Sequence, residues 1–221
     1  MTQPQTSGDN PHTQLRSAIL KWAETIKAWQ IPWQNGDVPA PGEDTGIYPG
    51  EMAAFLGLCE VHRVHSIVES GRGQHAYSTR VLGEYAERTE TQVVSIDSEP
   101  DPAKGRFVRE HLRRYRHVRC LIGDAFHVLP DAMHGLRGPV ALLVDGPKEQ
   151  RANRLSLVAS LAFDATVIAH HNCPLSDPWG KEFAKLFPGA FHYEQLGLPT
   201  IPEGREFKRW ERDCVDGYMR P

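Results

Sequence analysis

Five short apolar runs recur along the chain, and a stretch of helical periodicity separates each from the next. They lie around Ile67 and Val68 and at Val93 to Ile96, Val118 to Ile122, Val140 to Val144 and Thr166 to Ala169. Short runs that stay apolar without alternating are strands buried on both faces. Strands of that kind separated by helices form a parallel sheet, because each parallel crossover needs a helix-sized connection. The spacing predicts helices over about 74–88, 102–115 and 149–163, with a short one after Gly123. A further helix after Pro178 leads to Phe191 to Leu196 and Arg205 to Arg212, two strand-like segments joined through a Pro/Gly loop. The expected fold is α/β: a doubly wound sheet of five parallel strands plus a C-terminal antiparallel hairpin, with helices on both faces.

Upstream of this alternation the chain changes character twice. Residues 1–10 are polar with Pro and Gly and read as a disordered tail. Leu15, Ile19, Trp22, Ile26 and Trp29 then recur at three- and four-residue steps, so a helix with one apolar stripe follows. Gln30 to Gly46 is rich in Pro, Gly, Asp and Asn and reads as a lid-like loop. The domain division expected is therefore 1–10 tail, 11–47 helix and lid, and 48–221 ligand-binding domain. Tyr48-Pro49-Gly50-Glu51 opens that last unit with a helix whose apolar face carries Met52, Phe55, Leu56 and Cys59.

The chain has 221 residues, 40% of them hydrophobic and 24% charged, enough for one generous domain with a core. A net charge of −3 gives no overall basic field for nucleic acid or an anionic membrane, and the local basic run Arg106 to Arg119 reads as a solvated face. Cys59, Cys120, Cys173 and Cys214 lack metal-type spacing and read as free thiols of a reducing compartment. No signal peptide opens the sequence and no apolar run reaches membrane-spanning length, so a cytoplasmic protein is expected.

The chemistry concentrates where the strands end. The first runs into Glu69-Ser70-Gly71-Arg72-Gly73, whose glycines allow positive φ and close backbone approach to a bound group. A helix begins just beyond, and its unpaired N–H groups favour a nucleotide or carboxylate. The second strand ends in Asp97-Ser98, the third in Gly123-Asp124-Ala125, the fourth in Asp145 with Lys148 three residues on, and the fifth in His170-His171-Asn172. Ligands of open parallel sheets lie beyond these carboxyl ends. Two cofactors compete for the turn. Gly71, Gly73 and Ala76 fit the dinucleotide pattern, with Asp97 at the distance of a ribose-binding carboxylate in either case.

Glu69-x-Gly71-x-Gly73 also resembles the acidic-x-Gly-x-Gly motif of class I S-adenosylmethionine-dependent methyltransferases, with His75 where that pattern has a third glycine. The resemblance implies a Rossmann-like seven-stranded fold. It implies that Glu69 helps hold the cofactor through a hydrogen-bonded network, Asp97 and Ser98 the ribose, and Asp124 and Ala125 the adenine. Within that superfamily, Asp145-x-x-Lys148 followed by His171-Asn172 is similar to the metal-dependent O-methyltransferases of the catechol and caffeoyl-coenzyme A type. There an Asp-x-x-Lys and a later Asp-Asn supply metal ligands and a lysine base. His171 stands in the place of the ligand aspartate, and the acidic pair of the related cephalosporin-hydroxylase-like group is replaced by His170-His171. Mg²⁺ prefers hard oxygen donors, whereas Zn²⁺ or Mn²⁺ accepts histidine, so the metal stays open.

The expected activity is methyl transfer from S-adenosylmethionine to an oxygen of a small-molecule acceptor, with Lys148 or His171 as base and Asp145 beside them. Two rivals stand next to it: a non-catalytic adenosyl-binding module and an NAD-dependent oxidoreductase using Gly71 to Ala76.

Overall fold

In the computed structural model, residues 11–31, 47, 49–73, 76–163, 165–171, 177–188, 191–192 and 216–219 are described. The elements are α1 (Pro11–Trp29), α2 (Pro49–Val61), β1 (Ser66–Ser70), α3 (Tyr77–Thr89), β2 (Gln92–Asp97), α4 (Pro102–Leu112) and β3 (Val118–Ile122). They continue with α5 (Ala125–Met133), β4 (Val140–Val144), α6 (Glu149–Phe163), β5 (Val167–His170), α7 (Pro178–Leu186), β6 (Phe191–His192) and β7 (Asp216–Met219).

The sheet order is β3-β2-β1-β4-β5-β7-β6. Strands β1 to β5 are parallel, while β7 pairs antiparallel with both β5 and β6. Alternate residues of each central strand feed opposite faces. Ile67, Ala141, Leu143, Val167 and Ala169 join a core with α1, α2 and α3. Val68, Leu142, Val144 and Ile168 join a second core with α5, α6 and α7. A strand buried on both faces has no polar positions to spare, which is why β4 reads as VALLV without alternation.

Helix α2 is buried nearly all round, from Gly50 to Cys59, because α1 covers its outer side. The stripe Leu15, Ile19, Trp22 and Ile26 makes that contact. At Gly57 an added Cβ would stand 2.6 Å from Ile19 Cγ1, so this glycine sets how closely the two helices approach. Thus α1 shares its core with α2, α3 and the central strands.

Some boundaries differ from the sequence expectation. Helix α3 begins at Tyr77 rather than near Gln74, because Gly71, Gly73 and Ala76 all hold positive φ and keep the turn out of the helical region. Helix α4 stops at Leu112, short of Tyr115. The N-terminal tail, most of the Gln30 to Gly46 loop, Asn172, Cys173 and the Arg205 to Arg212 segment lie outside the described residues. Among the described residues no helix is long and apolar enough to cross a membrane.

Candidate functional site

Chain order reverses between β1 and β4, the sheet's two central neighbours, and the loops after them diverge to opposite sides. A cleft of about 570 Å³ opens there, at the carboxyl ends of the strands. That volume suits a small-molecule or cofactor site. Its walls include Ser70, Gly71 and Gly73 after β1, Asp97 and Ser98 after β2, Asp124 and Ala125 after β3, and Asp145 and Lys148 after β4. The fold therefore gathers these residues, from the ends of four strands, into one space.

The floor is a close backbone crossing. Asp145 and Gly146 donate their N–H groups to the Ser70 carbonyl at 2.8 and 2.9 Å, and the Ser70 hydroxyl donates to the Gly146 carbonyl. Gly71 has φ +95°, and a Cβ on it would lie 2.7 Å from the Asp145 carbonyl carbon. Only glycine fits. Gly73 has φ +65° with open space around it, and its N–H donates to Asp97 Oδ2 at 2.8 Å. The other oxygen of Asp97 accepts from the Glu99 N–H at 2.6 Å, so this carboxylate ties the two turns together as well as facing the cleft.

Glu69 lies fully buried beneath the cleft rather than in its wall. Its Oε2 accepts from the hydroxyls of Thr79 and Ser95. Burial raises its pKa, opposed by hydrogen bonds from Ser78, Ser95 and Thr79 and by the charge of Arg72. The sequence reading passed over Arg72. Its guanidinium folds under the turn, donating to the Ser95 carbonyl at 2.9 Å and to Glu99 at 2.5 Å. Glu99 also pairs with Arg109 of α4. A residue between two glycines looks like a spacer in sequence; the signal available was the set Glu69, Arg72 and Glu99, each charged and near a strand end, with Arg109 in the following helix.

Asp124 caps α5 by accepting from the Phe126 N–H at 2.9 Å, and its second oxygen takes the Arg151 guanidinium at 2.7 Å. The Arg151 hydrogen bond and then the Phe126 N–H hold its carboxyl below the usual range.

At the other end of the cleft Asp145 pairs with the Lys148 ammonium, and Asp145 Oδ1 stands 3.9 Å from Nε2 of His171. His171 is buried, and its Nδ1 lies 3.2 Å from Oε1 of Glu51 in the first turn of α2. Burial alone would lower the His171 pKa; the Glu51 and Asp145 carboxylates outweigh it and raise it. His170 points to the other face, where it contacts the Ser156 hydroxyl and stacks on Phe183 with ring centroids 4.3 Å apart. Burial, aided by the charge of Lys148, pushes its pKa down to about 3. The two adjacent histidines thus part company: His171 faces Glu51 and Asp145, and His170 lies in the core.

No protein-family model and no curated protein sequence matches the chain. Solved structures do. The O-methyltransferase TomG from Streptomyces achromogenes, in complex with SAM, is 16% identical with a TM-score of 0.54, covering 92% of this chain and 90% of its own. An O-methyltransferase from Bacillus cereus, in complex with SAH, is 15% identical with a TM-score of 0.53, over 92% and 91% of the two chains. A precorrin-6y C5,15-methyltransferase from Geobacter metallireducens is 12% identical with a TM-score of 0.54, over 85% and 96%.

The chain has the class I methyltransferase fold. Likeness at such identities speaks to fold and leaves function to the site. The cleft fits that fold's adenosyl cofactor by size, by the cradle where Gly71 lacks a Cβ, and by the carboxylates of Asp97 and Asp124 at its rim. Among the described residues the metal of the catechol-type enzymes finds no such fit. The Asp145 carboxylate is engaged by an ammonium, His171 Nδ1 is engaged by Glu51, and one imidazole nitrogen is left. Among the described residues no three His, Cys, Asp or Glu side chains converge as an ion site.

Proposed function

We propose that the protein is an S-adenosylmethionine-dependent methyltransferase acting on a hydroxyl oxygen of a small acceptor. The observation that carries the proposal is the two-ended cleft. One end combines the Gly71 and Gly73 turn with Asp97 and Asp124, and the other brings Asp145 and Lys148 together with His171 behind them.

In this reading Ser70, Gly71, Gly73, Asp97, Ser98, Asp124 and Ala125 hold the cofactor, and Glu69 acts from below through Thr79, Ser95 and Arg72. The cofactor supplies an electrophilic methyl group. The protein's own residues position the acceptor hydroxyl and take its proton, and such work is mostly orientation plus one base. Lys148 and Asp145 reach the cleft, and His171 stands next in line to receive or return a proton. We read β6 and β7 as parts of the hairpin that completes a Rossmann-like seven-stranded sheet, and residues 48–221 as the cofactor-binding domain.

Calorimetry with adenosylhomocysteine and NAD, then transfer of labelled methyl to a panel of catechol, hydroxycinnamate and sugar hydroxyls, tests the proposal. Adenosylhomocysteine binding and labelled product that survives chelator are expected. NAD binding without adenosylhomocysteine binding favours the oxidoreductase, and cofactor binding without transfer favours a non-catalytic module.

A further inference from the structure

Glu51 has no counterpart among the residues singled out in the sequence. It is 1% exposed, in the first turn of a helix whose other buried positions are apolar, where a carboxylate costs free energy unless it has a partner. It reaches across from α2 to the end of β5, and His171, itself 5% exposed, presents Nδ1 to it at 3.2 Å. The opposite nitrogen of the same ring, Nε2, faces Asp145 at 3.9 Å, and Asp145 contacts the Lys148 ammonium on the cleft wall. Four side chains from α2, the end of β5 and the loop after β4 therefore form one line from the interior to the cleft.

A histidine's two nitrogens are set by each other's partners. When a carboxylate accepts from Nδ1–H, the ring's rotation and tautomer are both fixed and Nε2 is directed at whatever lies opposite. We propose that Glu51 is a positioning residue for the acceptor end of the site, holding His171 with Nδ1–H toward itself and Nε2 toward Asp145. This inference rests on the methyltransferase reading for the reaction concerned, while the pairing itself stands on geometry alone.

The alternative is that Glu51 merely ties α2 to the sheet, and the two roles separate by experiment. The ¹⁵N spectrum of histidine-labelled protein bound to adenosylhomocysteine, recorded above the raised His171 pKa so that the ring is neutral, reads the His171 tautomer, with His171→Gln assigning the signals. A protonated, hydrogen-bonded Nδ1 is expected in the wild type. Glu51→Met, which keeps length but removes the acceptor, should abolish that state, and Glu51→Gln, which keeps an acceptor oxygen, should retain part of it.

With an acceptor from the hydroxyl panel, Glu51→Met should lower kcat roughly ten-fold or more, leaving acceptor KM and adenosylhomocysteine affinity within about two-fold. The Glu51→Met/His171→Gln pair should lose no more than His171→Gln alone. An unprotonated Nδ1 in the wild type, an unchanged tautomer in Glu51→Met, or additive losses in the double variant would overturn the proposal. Absence of adenosylhomocysteine binding in the wild type would instead remove the methyltransferase reading, with the tautomer of the unliganded protein still deciding the pairing.

Discussion

Arg72 and Glu99 form an ion pair with both side chains almost wholly buried, 1% and 5% exposed, directly beneath the turn that follows β1. The pair joins the end of the first strand to the loop after the second. Through Ser95 it also reaches Glu69. Breaking one side of a buried pair strands the other charge in a low-dielectric interior, at a cost of about 3–5 kcal/mol. Arg72→Met, which leaves Glu99 its second partner Arg109, is therefore expected to lower the unfolding free energy by at most an amount in that range and to weaken adenosylhomocysteine binding. The Arg72→Met/Glu99→Met double variant should cost less than the sum of the singles. Additive losses in urea titrations would show that the two groups act independently.

The two turn glycines should behave differently when a methyl group is added. At Gly71 the new Cβ meets the Asp145–Gly146 backbone and φ is positive, so strain and overlap combine. At Gly73 φ is positive too, but no atom lies within 4 Å. Gly73→Ala should cost roughly 1–2 kcal/mol, the ordinary penalty of a left-handed residue. Gly71→Ala should cost clearly more and part β1 from β4. Thermal unfolding of the two variants side by side checks the order.

Periodicity alone placed the five parallel strands, four of which are buried along most of their length, while the edge strand β3 is half-buried or exposed throughout. It also pointed to the carboxyl ends of the strands, where the cleft opens, since polar residues at strand ends converge once strands run parallel. What it missed has a common cause. Arg72, Glu99 and Glu51 act through partners distant in sequence, and nothing local distinguishes a charged side chain folded inward from one facing water. The His170-His171 pair is a sharper case: adjacent strand residues point to opposite faces, so only the register beside Val144 tells which histidine faces Glu51 and Asp145. The start of α3 was misjudged by about three residues for a local reason, the left-handed Ala76.

Arg151 occupies the oxygen of Asp124 that does not cap α5. The pair is exposed on both sides, 58% and 39%, so it contributes little to stability, about 1 kcal/mol at most. If Asp124 serves the cofactor, the guanidinium is a competitor. Arg151→Ala should keep the fold's stability and leave adenosylhomocysteine affinity unchanged or improved, whereas Asp124→Ala should weaken it by roughly ten-fold. Calorimetry showing Arg151→Ala to be as damaging as Asp124→Ala would make Arg151 itself a contact residue.

The adjacent histidines predict a stability profile with two opposed limbs. His170 has a folded pKa depressed to about 3 against an ordinary 6.5, so the unfolded state binds the extra proton. Its contribution is present above 6.5 and is lost as the pH falls toward 3. His171 has a raised folded pKa, because Glu51 and Asp145 favour its charged form despite burial. Its contribution is full below 6.5 and is lost as the pH rises through the raised value. Urea midpoints measured at about pH 5, 6.5 and 8 should therefore show His170→Gln flattening the acid limb and His171→Gln flattening the alkaline one, each leaving the other limb in place. An acid limb that persists unchanged in His170→Gln would place the acid-sensitive group elsewhere, among the carboxylates held below their usual range, such as Asp124. An alkaline limb unaffected by His171→Gln would mean that the imidazole between Glu51 and Asp145 is neutral in the folded protein, and Asp145 would then be balanced by Lys148 alone.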